Sequence, residues 1–132
     1  MPDEGRTLPL KSGGQLQCIS APYLHSPGNM VVFDSASGFL FSGGIGAAVP
    51  PDGKFRLVID DWQQQLEWMR SFHQRGNTRA AETFVNNVSL LPITAMLPQH
   101  GQIFRSNEVN RFFDWFKTLP CGIDYLYPEP AC

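Results

Sequence analysis

The spacing of hydrophobic positions changes about half-way along the 132-residue chain. Residues 15–21 (QLQCISA) alternate, which is the two-residue period of a half-buried strand. Residues 30–33 and 38–41 are two further short apolar runs. The link between them, Asp34-Ser35-Ala36-Ser37-Gly38, is short, polar and ends in glycine, so it predicts a β-hairpin. Pro50-Pro51-Asp52-Gly53 is a turn, and residues 55–59 read as one more short extended run. Residues 1–13 read as a polar lead-in.

From about residue 60 the period becomes helical. Asp60 or Asp61 caps a helix that runs to about Gln74 and stops at Gly76-Asn77, with Trp62, Leu66, Met69 and His73 on its apolar face. Thr78 caps a second helix, whose stripe is Ala81, Phe84, Val85 and Val88 and which Pro92 follows. Residues 93–97 (ITAML) are a short strand of the buried type. Ser106 caps a last helix that turns Val109, Phe112, Phe113, Phe116 and Leu119 inward, with Glu108 in the first turn complementing the dipole. A strand cluster, two helices, a strand and a helix predict a single α/β (α+β) domain.

Composition narrows the function. The chain is 42% apolar with ten Phe, enough for a core. Its net charge of −2 leaves no electrostatic footprint for nucleic acid, and no basic run marks a membrane surface. No apolar run approaches a membrane span, and the acidic start Met1-Pro2-Asp3-Glu4 lacks the apolar core of a signal peptide. Cys18, Cys121 and Cys132 are scattered and odd in number, which predicts reduced thiols in a cytoplasmic protein. Charged residues are only 17%, so part of the surface is expected to be apolar and covered.

Three strand-end segments are candidates for chemistry. In "FLFSGGIGAAVP" the glycines look at first like a phosphate loop. Val49 holds the last small position of the dinucleotide pattern, however, and Pro50-Pro51 removes the amides and the helix start that an anion needs. "SAPYLHSPG" sets His25 just past a strand between Pro22 and Pro27. "AMLPQHGQI" sets His100 in the same way, between Pro98 and Gly101. A stiffly held imidazole has little freedom to lose on binding, which suits a metal ligand. The pattern by itself leaves metal ligation and a plain turn histidine both open. Two histidines also fall short of the three protein ligands that a firm divalent site takes.

In this order, "YLHSPGNMVVFD", "GFLFSGGIGAA" and "LPQHGQIFR" resemble the C-terminal half of a metallo-β-lactamase-fold domain of the di-iron branch. That branch holds the flavodiiron proteins and the flavin-free oxygen-binding di-iron proteins. "SFHQR" and "VNRFFDWFKTLPCGIDYL" are similar to the latter group, and the likeness runs from about Leu16 to Leu126. It implies an αββα sandwich with a non-haem di-iron site (zinc as the alternative metal) at one rim, and no flavin. It implies metal ligation by His25 and His100.

Two departures stand against a working site. The family's bridging aspartate, in Phe-Ser-Gly-Asp, falls on Gly44 here. Its first metal motif, His-x-Glu-x-Asp-His, has no counterpart among the three histidines His25, His73 and His100. Asp34, Asp52, Asp60 and Asp61 are the nearby carboxylates, in turn or cap positions. His73 reads as a half-buried packing histidine, with an outer-shell role as the alternative. The expectation is therefore a single partial domain over residues 1–132. It resembles an oxygen-binding sensor or oxidoreductase-like protein, and as an isolated chain it binds metal weakly or not at all. The alternatives are a zinc hydrolase of the same fold, acting through a metal-bound hydroxide, or a non-catalytic interaction remnant. Dioxygen or another small molecule is the expected ligand of a complete site. Half a sandwich would leave one apolar sheet face in water, so a homodimer or a partner chain is expected to cover it.

Overall fold

The computed structural model describes residues 6–21, 24, 29–54, 56–73 and 78–118, with the backbone only for 71–73 and 78. Four strands come first: β1 (Arg6–Pro9), β2 (Gln15–Ser20), β3 (Met30–Asp34) and β4 (Phe39–Gly43). Two helices follow, α1 (Trp62–His73) and α2 (Thr78–Val88). Then come β5 (Ala95–Pro98), β6 (Phe104–Arg105) and α3 (Ser106–Phe116). The strands form one six-stranded sheet in chain order, antiparallel throughout except for the parallel pair β4–β5. A parallel pair needs a crossover, and α1 with α2 supplies it.

The expected hairpin is present, and its turn chemistry explains it. The Asp34 carboxylate accepts the Ala36 amide (3.2 Å) and the Ser37 hydroxyl (2.8 Å), and Gly38 N–H donates back to the Asp34 carbonyl (2.8 Å). Asp61 caps α1, accepting the Gln64 amide at 3.1 Å. Asp60, the other candidate cap, instead pairs with Arg56 at 2.8 Å.

The core lies between one sheet face and the helices. Ile19, Val31, Phe33, Leu40, Met96 and Phe104 point inward and are almost wholly buried. Against them pack Met69 of α1, the whole predicted stripe of α2, and Val109, Phe112, Phe113 and Phe116 of α3. Phe112 is the hub of the aromatic packing, 4.9 Å from Phe116 and 5.3 Å from Phe104 between ring centroids. Leu119, expected in the same stripe, lies outside the described residues.

Four readings of the sequence need correcting. Within the polar lead-in, Arg6–Pro9 forms edge strand β1, paired with β2. All four of its residues are exposed, so it carries no buried alternation to read. The run at 55–59 is no strand among the described residues: it keeps only a single parallel bridge from Val58 to Ile103. The N-cap of α3 is Arg105, not Ser106, and it is Glu108 that reaches back, accepting the Arg105 amide at 3.1 Å. On α1 the fully buried residues include Gln65, which a hydrophobic stripe does not reveal. Among the described residues no helix is long and apolar enough to cross a membrane.

Candidate metal edge

Topology brings to one rim the ends of the three strands that precede the candidate segments. Strand β2 is antiparallel to β3, β3 is antiparallel to β4, and β4 is parallel to β5. Strands β2, β4 and β5 therefore run the same way and end at the same edge of the sheet. The chain that leaves β2 leads towards His25, the glycine turn follows β4, and the His100 loop follows β5.

Two of these segments are joined directly. Gln99 N–H donates to the Gly43 carbonyl (2.8 Å), and Ala48 N–H donates to the His100 carbonyl (3.1 Å). The glycine turn closes on itself, with the buried Ser42 hydroxyl donating to the Ile45 carbonyl at 2.7 Å. Gly101 takes φ 118°. A side chain built there would come within 3.1 Å of the Ala48 nitrogen and 3.2 Å of its carbonyl oxygen. Glycine at this position is what lets the two loops lie against each other. The His100 side chain itself is exposed.

His25 lies outside the described residues, as does the side chain of His73. In the segment that holds His25, Ala21 and Leu24 are buried in the core, so this loop is anchored at its described points. The four candidate carboxylates are engaged locally: Asp34 in the hairpin turn, at the end of the sheet opposite this rim, Asp52 on the Lys54 amide (3.0 Å), Asp60 on Arg56, and Asp61 as a helix cap. Among the described residues no three His, Cys, Asp or Glu side chains come together as a metal would require. The donors in view are one exposed imidazole, with Gly44 where the family resemblance implies a carboxylate bridge. Such a set does not fit a pair of irons.

Behind His100 the structure holds polar features that the sequence did not advertise. Gln102 is buried; its Oε1 accepts the Arg56 amide (3.2 Å) and its Nε2 donates to Gln65 Oε1 (3.1 Å). Gln102, Trp68, Gln64 and the charged residues of the 52–60 loop line a cleft of about 350 Å³. The nearness of Gln102 to His100-Gly101 in the sequence was the one available signal. Next to it, Arg105 grips both Glu108 oxygens (2.8 and 3.0 Å) and the Ile59 carbonyl (2.9 Å), fixing the start of α3 to the loop beneath. Burial pushes the Glu108 carboxyl up. The hydrogen bonds and charge of Arg105, helped by Arg111, outweigh that and hold it below the ordinary carboxylate value. The same pairing raises Arg105.

A single sheet, helices on one side of it and the ends of β2, β4 and β5 at one rim define a metallo-β-lactamase-like partial domain. The family model described as ODP family beta lactamase matches residues 1–101, and the chain belongs to that family. Two solved structures of the chemotaxis sensor ODP are 35% identical to it at TM-score 0.87, one a peroxy diiron species and the other the apo state from T. denticola. They cover 96% of this chain, which in turn covers 54% and 53% of theirs. The chain thus spans about half the length of the sensor chains it matches. The flavodiiron protein from Giardia intestinalis shares the fold, with TM-score 0.78 at 16% identity, over 91% of this chain and 30% of its own. No match was found among curated proteins.

Proposed function

We propose that this chain is a partial domain of the oxygen-binding di-iron sensor type whose metal edge is incomplete, so that alone it holds iron or zinc weakly or not at all. The observation that carries this reading is Gly44. It stands at the end of β4, beside the His100 loop, where a bridging carboxylate is needed. A bridge supplies two oxygens and a negative charge between two cations, and glycine supplies neither. His25 and His100 are then the remaining imidazole donors, and two imidazoles make a loose site. Dioxygen or a similar small molecule is the ligand only of a complete site. The scattered cysteines support a cytoplasmic, reducing setting.

Anaerobic calorimetric titration of the 132-residue chain with ferrous iron, and separately with zinc, tests the reading. The expected result is binding no tighter than about 10 µM, or none, and loss of any residual binding in His100→Ala. Stoichiometric binding below about 1 µM refutes it. A coloured species on exposing iron-loaded protein to air would refute it as well.

A further inference from the structure

The cleft beside α1 has a volume of about 350 Å³, close to the lower bound of about 300 Å³ for small-molecule sites. Its lining carries both signs of charge, Lys54 and Arg56 with Asp52 and Asp60. Arg56 pairs with Asp60 at 2.8 Å, but the two side chains are 76% and 44% exposed, and a pair so open to water is readily exchanged for other partners. The ion pairs among the described residues leave the Lys54 ammonium unmatched. Asp52 commits Oδ1 to the Lys54 amide, which leaves Oδ2 to a ligand. Gln102, on the same lining, is 3% exposed. Its amide makes one bond through each end, from the Arg56 N–H and to Gln65 Oε1, so one N–H and one lone pair remain unspent. Gln65 Nε2 is buried with no partner. Unsatisfied donors in the interior are costly, and these belong to the one amide pair that borders the cleft. An acceptor oxygen is the group they lack. Trp68, half-buried, supplies a flat apolar wall.

We infer that this cleft binds a free α-amino acid with an apolar side chain. A zwitterion is the class of ligand that a lining of both signs selects. A phosphate or other simple anion meets Asp52 and Asp60, and a metal ion or polyamine meets Lys54 and Arg56, so each is opposed by half of the site. An α-amino acid presents its ammonium to the carboxylates and its carboxylate to the Lys54 ammonium, the Arg56 guanidinium and the spare Gln102 N–H. Charge-assisted hydrogen bonds of this kind are the strong ones. The Trp68 indole takes the side chain, and an aromatic one gains most there. The volume admits a single residue rather than a peptide. Neither Gly44 nor His100 lines the cleft, so this inference does not depend on whether metal binds.

Heteronuclear NMR titration of the full chain with L-phenylalanine tests it. Saturable shifts are expected at the Trp68 indole N–H and the Gln102 side-chain amide, with a Kd of about 0.1–1 mM. Two analogues probe the charges on the unaltered protein, where no folding defect can intervene. N-acetyl-L-phenylalanine lacks the ammonium and L-phenylalaninamide lacks the carboxylate, and each should bind at least about tenfold more weakly. Lys54→Ala, at an exposed residue, should weaken L-phenylalanine binding about fivefold, whereas Lys11→Ala, outside the cleft, should match the wild type. The absence of saturable shifts up to about 10 mM overturns the inference. So does either analogue binding as tightly as L-phenylalanine, or a Lys54→Ala chain that binds like the wild type.

Discussion

Gly101→Ala tests the contact that joins two of the rim loops. The native φ of 118° is one that side-chain-bearing residues avoid, at a cost of about 1–2 kcal/mol. The added methyl would also sit 3.1 and 3.2 Å from the Ala48 nitrogen and oxygen. These are backbone atoms, and the nitrogen is committed to the His100 carbonyl, so they cannot swing aside as a side-chain tip would. That crowding adds roughly 1 kcal/mol, for a total near 2–3 kcal/mol. Gly43→Ala is the internal control. Its φ of 60° is also positive, but nothing lies within 4 Å of the added carbon. Its cost is therefore about 1 kcal/mol. Urea unfolding at one fixed protein concentration reads the difference. With m near ~1.5 kcal/mol per M, the midpoint should fall about 1.5–2 M for Gly101→Ala and about 0.7 M for Gly43→Ala. Hydrogen exchange at the Ala48 amide should quicken about tenfold in Gly101→Ala alone, since that variant breaks the loop contact. Equal midpoint losses in the two variants, or a Gly101→Ala midpoint within about 0.3 M of wild type, would show that the approach to Ala48 carries no energy.

Glu108 is held ionised below its ordinary range, so its contribution to stability is present above the unfolded carboxylate value of about 4.3 and is lost as pH falls through the lower folded value. Thermal melts from pH 6 down to about 3 should show a steeper loss in wild type than in Glu108→Gln, and parallel profiles would disprove the coupling. Phe112→Ala removes the ring around which Phe104 and Phe116 pack, at a cost of about 3–5 kcal/mol. The melting temperature should drop by roughly 10–25 °C, and a drop under about 4 °C would show that the site collapses around the missing ring.

Elements whose cause is local were legible in the chain itself. The hairpin is written in Asp34 and Gly38, whose bonds span four residues or fewer, and the α2 stripe of Ala81, Phe84, Val85 and Val88 is a periodicity that needs no partner to be seen. The sequence likewise named the strand-end loops, the His100 position and the glycine that stands at Gly44. It did not reveal strand β1, because an exposed edge strand is defined by its pairing with β2 and by nothing in its own side chains. Nor did it reveal Gln65 with Gln102, or Arg105 with Ile59, since those partners lie 37 and 46 residues apart.

The amino-acid order by itself determined the hairpin, the three helices and the buried strands, and which donors the chain has to offer a metal. Only the tertiary structure decided that the Gly44 and His100 loops meet at one rim, and that Phe39 and Phe41 face away from the helices. Strand direction and register are set by contacts across the sheet, and those energies do not exist until the segments have come together.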